Sequence, residues 1–144
     1  MEIPEKIKKI VDGHGWIRHL TVGDIMEPNV VTINEDAMLK QLDSLITEYK
    51  HTGYPVVNNE NKTTGVISYK DLLRVDKEDW AKICVKERMS TCLIYASPEE
   101  SIIDAARKMT QAGVGRLLVM DGDSLVGIVS RSSIMDKVIK RMVT

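Results

Sequence analysis

The sequence predicts a mixed α/β fold of the α+β kind, made of two copies of one strand, helix, β-hairpin, helix unit. Three observations carry this. The order of motifs in residues 22 to 75 recurs in residues 85 to 138, at an offset of 63 that becomes 62 after the hairpin. Each copy holds a helical stretch with one apolar stripe. Each then holds two short β-rich runs separated by a polar turn.

Taken in order, residues 1 to 20 lie outside the repeat as a helix and lead-in. Ile3, Ile7, Ile10 and Val11 make a stripe on a short helix that Asp12-Gly-His-Gly should end, and Trp16 with Ile17 gives a hydrophobic foot to dock. The first copy, residues 21 to 75, opens with Val22-Gly-Asp-Ile-Met-Glu-Pro and a strand at Val30-Val-Thr-Ile. Met38, Leu42, Leu45, Ile46 and Tyr49 then share a helical face, with Asn34 as the expected N-cap. The hairpin runs through Tyr54-Pro-Val-Val and Gly65-Val-Ile-Ser, and a second helix begins near Ser68. Residues 76 to 84 are a linker in which Trp80 is the expected anchor. The second copy, residues 85 to 144 with the C-terminal helix, repeats the order with Leu93-Ile-Tyr-Ala, Leu117-Leu-Val-Met and Gly127-Ile-Val-Ser. Its first helix carries Ile102, Ala105, Ala106 and Met109 on one face, and Ser97-Pro-Glu-Glu supplies a cap, a proline suited to the first turn and a capping-box glutamate. Its last helix begins near Ser130. The two copies differ in length only in the hairpin turn, Asn58-Asn-Glu-Asn-Lys against Asp121-Gly-Asp, where such variation is tolerated.

Composition narrows the function classes. With 144 residues, 43% hydrophobic and 28% charged, the chain has globular composition, and repeats of this size should share one body. The 20 basic against 21 acidic residues leave no excess charge for nucleic acid or a membrane surface. Its apolar runs are strand-sized, far short of the roughly 20 residues that span a bilayer. The opening Met1-Glu-Ile-Pro-Glu-Lys-Ile offers no continuous apolar region, so a secretory leader is not expected and a cytoplasmic location follows. Cys84 and Cys92 lack metal-site spacing and read as buried small hydrophobes, while His14, His19 and His51 are scattered, so no metal is expected. No Gly-x-Ser-x-Gly elbow or helical His pair is present, and no enzymatic activity or required cofactor is expected.

The remaining chemical signal is Gly65-Val-Ile-Ser68-Tyr-Lys-Asp71, a strand that ends at a serine and enters a helix. It has two readings. In the first, glycine permits close approach, the Ser68 hydroxyl and free helix amides bind phosphate, and Asp71 accepts from both ribose hydroxyls. In the second, Ser-x-x-Asp is a capping box and both residues are helix punctuation.

The motif order in two copies resembles the CBS domain, a family that occurs in tandem pairs also called Bateman modules. The resemblance rests on Asp24-Ile-Met, Tyr54-Pro-Val-Val and the Gly65 to Asp71 segment, and it covers residues 22 to 138. It implies two repeats packed pseudo-symmetrically around a central cleft with two nucleotide pockets. The main one would take Gly65, Val66, Ser68 and Asp71, with Leu93 and Ile94 against the adenine and Arg116 at the phosphate; the alternative for Arg116 is a surface ion pair. The second would draw on Val30, Val31, Thr32, Gly127, Ser130, Ser132 and Ser133, with Arg131 adding charge. In it Ser133 replaces the ribose-binding aspartate and Gly53 stands where Arg116 stands in the other copy. The resemblance thus implies a non-enzymatic regulator that binds AMP, ADP or ATP, forms a homodimer and signals nucleotide status to a partner protein. A purely structural dimerisation module and an S-adenosylmethionine-binding regulator are the alternatives it also allows. The expected dimer seam lies on the helical faces carrying Leu72, Leu73 and Val75 or Ile134, Met135 and Val138.

Overall fold

Glu5 and residues 15–143 are described by a computed structural model, and they form two three-stranded sheets with helices. In chain order the elements are α1 (Val22–Ile25), β1 (Ile33–Asn34), α2 (Leu39–Tyr49), β2 (Gly53–Val57), β3 (Thr63–Ser68), α3 (Tyr69–Leu73), β4 (Tyr95–Ala96), α4 (Ile102–Ala112), β5 (Arg116–Asp121), β6 (Ser124–Ser130) and α5 (Arg131–Val143). Short 3-10 turns occupy Gly15–His19, Lys77–Asp79 and Val85–Glu87. The mixed α+β class and the duplicated strand, helix, hairpin, helix order are those the sequence predicts. The helix expected over Ile3, Ile7, Ile10 and Val11 lies outside the described residues.

Two compact units divide the chain, and they cut across the sequence repeats. One is continuous, Val31–Leu93; the other is split, joining the chain up to Val30 with the chain from Ile94 onward. In the continuous unit β1 runs parallel to β2, with Ile33 opposite Val56, and β2 is antiparallel to β3. Alternation sends Tyr54, Val56 and Ile67 to the core with Ile33, where Leu39 and Leu42 of α2 and Leu72 of α3 cover them. The Tyr54 hydroxyl donates to the Leu45 carbonyl at 3.1 Å, so its polar end is satisfied inside an apolar setting. The linker closes the same core. Trp80 packs on it and its indole N–H donates to the Val75 carbonyl at 3.0 Å. Val85 is fully buried there, and the Lys86 ammonium holds the Asp36 carboxylate at 2.8 Å. That hydrogen bond, and then the attraction of the Asp36 charge, raise the Lys86 pKa above its ordinary value.

The split unit repeats this plan with borrowed ends. β4 is parallel to β5 and β5 antiparallel to β6, and Ile102, Ala105, Ala106 and Met109 of α4 pack on Leu117, Val119 and Val129. Ile17 is fully buried in this core with Trp16 packed against it, as the hydrophobic foot requires. Val22 and Ile25 of α1 join them, so the segment that opens the first repeat completes the core of the second. The segment that opens the second repeat, through Val85 and Met89, does the same for the first.

Several expectations are corrected. The N-cap of α2 is Met38 rather than Asn34. The Asn34 side chain instead accepts from the Asp36 N–H at 2.9 Å, closing a turn before the helix. The apolar stripe therefore centres on Leu39 and Leu42, while Tyr49 is exposed. Likewise α4 starts after Ser101, whose hydroxyl accepts from the Asp104 N–H at 3.1 Å. The Ser97 N–H does donate to Glu100 at 3.3 Å, but Ser97-Pro-Glu-Glu forms a turn four residues earlier. The cysteines are free, but Cys92 is exposed and Cys84 only half-buried, because each lies in irregular chain beside a 3-10 turn or an isolated bridge. The expected dimer faces also change. Leu72, Val75, Ile134 and Val138 are buried within their own units, and among the described residues Leu73 and Ile139 are exposed aliphatics of α3 and α5.

Candidate functional site

Each sheet has a core face and a second face, and strand register assigns the candidate residues that lie on strands to one of them. In the continuous unit Gly53 lies opposite Ser68 and Pro55 opposite Val66, all on the face away from the core residues Tyr54, Val56 and Ile67. In the split unit Arg116 lies opposite Ser130 and Leu118 opposite Ile128, again away from Leu117, Val119 and Val129. Tyr95 pairs with Leu118, so it shares that second face, while its neighbours Ile94 and Ala96 pack on the core. The sequence reading passed over Tyr95. The signal that could have found it is the alternation along Ile94-Tyr-Ala, in which an aromatic side chain falls out of phase with the buried positions.

The second helix of each repeat begins with a reciprocal hydrogen-bonded turn. Asp71 Oδ2 accepts from the Ser68 N–H at 2.9 Å and from the Ser68 hydroxyl at 3.2 Å. Its other oxygen, Oδ1, sits 3.9 Å from the Arg74 guanidinium. At the equivalent place the Ser130 N–H donates to the Ser133 hydroxyl and the Ser133 N–H to the Ser130 hydroxyl, both at 3.0 Å. Ser133 thus keeps the cap and discards the charge. The first amide of each helix is also occupied, by the Thr52 carbonyl for Tyr69 at 2.8 Å and by the Gly115 carbonyl for Arg131 at 2.9 Å. The expectation of free amides at the start of α3 is corrected to this extent, since the Tyr69 N–H already has a backbone acceptor.

Gly65 and Gly127 lie on the core faces, where each admits a close approach from within its own unit. A Cβ at Gly65 would come within 2.6 Å of the Met89 sulfur and 2.7 Å of the Ser90 carbonyl. At Gly127 it would meet the Met26 sulfur at 2.6 Å and the Glu27 carbonyl at 3.0 Å. The glycines therefore seat the exchanged opening segments, which bridge to the hairpins at Val66 with Ser90 and Ile128 with Glu27.

The other candidates are distributed over the two units. Leu93 ends the continuous unit, half-buried, and Ile94 packs against the split core. Val30 belongs to the split unit, whereas Val31 and Thr32 belong to the continuous one, Val31 packed on its core. Ser132 and Arg131 are exposed at the start of α5, and the Arg131 guanidinium reaches the Val114 carbonyl at 3.4 Å. Among the described residues no helix is long and apolar enough to cross a membrane.

A duplicated α+β unit whose hairpin glycine seats the opening of the other copy defines a tandem-repeat module. The CBS domain model matches residues 22–78 and 85–140, and the chain belongs to the CBS domain family. It is 36% identical over 128 residues to an uncharacterized protein of Methanocaldococcus jannaschii, covering 85% of this chain and 41% of that one. The chain spans about two fifths of the length of the first curated relatives it matches, 39–44%. Among solved structures it resembles the CBS-pair protein CBSX2 from Arabidopsis thaliana, at 25% identity and a TM-score of 0.79 over 87% of this chain and 98% of that one. A crystal structure of CBSX2 in complex with AMP matches at 26% identity and a TM-score of 0.76, covering 85% and 98% of the two chains. The CBS domain of a bacterial CNNM/CorC family Mg2+ transporter, solved in complex with ATP, shares the fold at 19% identity and a TM-score of 0.80, over 93% and 97% of the chains.

Proposed function

We propose that this CBS pair is a non-enzymatic regulatory module that binds an adenine nucleotide, with Asp71 as the ribose-binding carboxylate and Arg116 as the phosphate-binding cation. One observation carries the reading. Asp71 and Arg116 have as their repeat equivalents Ser133 and Gly53, so each charged anchor is present in one copy of the repeat and absent from the other. The retained backbone geometry supports it, since Ser133 still caps α5 without a carboxylate. Capping alone therefore does not require a carboxylate at Asp71. The reading also draws on the AMP and ATP complexes of similar CBS proteins. Two lost charged contacts at about 1.5–3 kcal/mol each weaken the second position by at least about a hundredfold, so one tight event per chain is expected. Signalling follows from a change of shape or partner affinity on binding, read by another protein, and the module acts as a homodimer. Native mass spectrometry of freshly purified protein, followed by calorimetry with AMP and ATP, tests this. A retained or tightly titrating adenine nucleotide at one per chain is expected; no binding of either nucleotide, or two equal tight sites, would overturn it.

A further inference from the structure

We infer that Tyr95 is the base-stacking residue of the nucleotide site, a specificity-determining aromatic held on the same sheet face as Arg116. The inference rests on the proposed nucleotide function and deepens it. Its starting point is the alternation across β4. Ile94 and Ala96 point into the split unit's core, so the intervening Tyr95 projects from the opposite face, where it is 56% exposed. Its backbone is fixed at both ends. Tyr95 pairs with Leu118 of β5, and its carbonyl accepts from the Lys108 ammonium at 3.0 Å, itself held by Glu100 at 2.6 Å. A planar ring on a rigid backbone, open to solvent, is a low-entropy platform for another π-system.

The neighbours on that face fit a phosphorylated nucleoside. Leu118 is the cross-strand partner, Arg116 lies two residues along β5 from it, and Ile128 and Ser130 follow on β6. Strand spacing and rise place the Tyr95 and Arg116 Cα atoms about 8 Å apart, which suits one side chain for a base and the other for its phosphate. In the continuous unit the equivalent positions are Thr32, Gly53, Pro55, Val66 and Ser68, a set with no aromatic ring and no cation. The aromatic thus belongs to the same unequal pairing as Asp71 and Arg116, and it identifies the ligand class as a nucleobase rather than any small phosphate.

Calorimetry of the full chain with AMP, for Tyr95→Phe, Tyr95→Leu and Tyr95→Ala, tests this. Tyr95→Phe should bind within about threefold of wild type, and Tyr95→Ala about tenfold to a hundredfold more weakly. The adenine H2 and H8 proton signals should shift upfield on binding to wild type and Tyr95→Phe, and lose that shift with Tyr95→Leu, a readout that a merely structural role would not move. Wild-type affinity and ring shift in Tyr95→Leu would overturn the inference while leaving the nucleotide function standing. A wild-type chain that binds no adenine nucleotide would overturn the function, and the inference with it.

Discussion

At the scale of single residues, the Ser68 to Asp71 pair is both cap and candidate ligand group, and its two oxygens separate the roles. Oδ2 is committed to Ser68, whereas Oδ1 lies 3.9 Å from the Arg74 guanidinium. Asp71→Asn keeps an acceptor for the Ser68 N–H and removes the charge, so adenine-nucleotide affinity should fall about tenfold or more in a calorimetric titration. Its thermal stability should move by only about 1 kcal/mol, and unchanged affinity with a clear loss of stability would return Asp71 to capping alone. Gly65 presents the opposite case, because its spacing in the motif suggested ligand approach and its surroundings explain it by packing. An added methyl there meets the backbone carbonyl of Ser90 at 2.7 Å, which yields less easily than a methionine side chain. Gly65→Ala should destabilise by about 1–3 kcal/mol in urea denaturation. Gly127→Ala should cost less, since its nearest backbone atom is at 3.0 Å, and the reverse order would contradict this account.

At the scale of elements, the repeat was legible because helical stripes, strand alternation and the two hairpins leave periodic traces in the chain. The burial of Ile102, Ala105, Ala106 and Met109 on one face of α4 follows the predicted stripe directly. Helix starts were less legible, for a physical reason. Asn34 closes its turn with a side chain that accepts from the Asp36 N–H, whereas Ser97 does so with its backbone, and short polar residues suit a turn as well as a cap. Cap mutants distinguish the two. Ser101→Ala should cost about 0.5–2 kcal/mol by removing the acceptor for the Asp104 N–H, measured as a shift in the urea midpoint at constant m-value. Ser97→Ala should cost distinctly less, because in the turn the Ser97 backbone does the hydrogen bonding. For the candidate site, position in the motif nominates Ser68, Asp71 and Arg116, whereas the core-facing assignment of Ile94 and the opposite face of Tyr95 required the pairing of β4 with β5.

At the scale of the whole chain, the exchange of opening segments was hidden from the sequence, since a contact between Met89 and Gly65 or between Met26 and Gly127 leaves no periodic mark. It has a consequence for autonomy. Among the described residues, the core of the continuous unit, Ile33, Leu39, Leu42, Tyr54, Val56, Ile67, Leu72, Val75 and Val85, comes from Val31–Leu93. The sequence repeat over residues 21–75 lacks Val85, Trp80 and Met89, and it carries Val22 and Ile25, whose core is completed by Ile17, Leu20 and the chain from Ile94 onward. A fragment of residues 31–93 should therefore fold cooperatively, with the modest stability of about 3–5 kcal/mol or less expected below roughly 70–80 residues. A fragment of residues 21–75, cut at the repeat boundaries, should not. Without Met89 and Ser90 the backbone of β3 loses its bridge at Val66, and without Val85 and Trp80 the core beneath α2 is left open to water. Far-UV circular dichroism with thermal denaturation, alongside amide dispersion in a heteronuclear spectrum, compares the two. A sigmoidal transition and dispersed amides for 31–93, with neither for 21–75, would identify the exchanged unit as the folding unit, and equal behaviour of the two fragments would show that the repeat itself is sufficient.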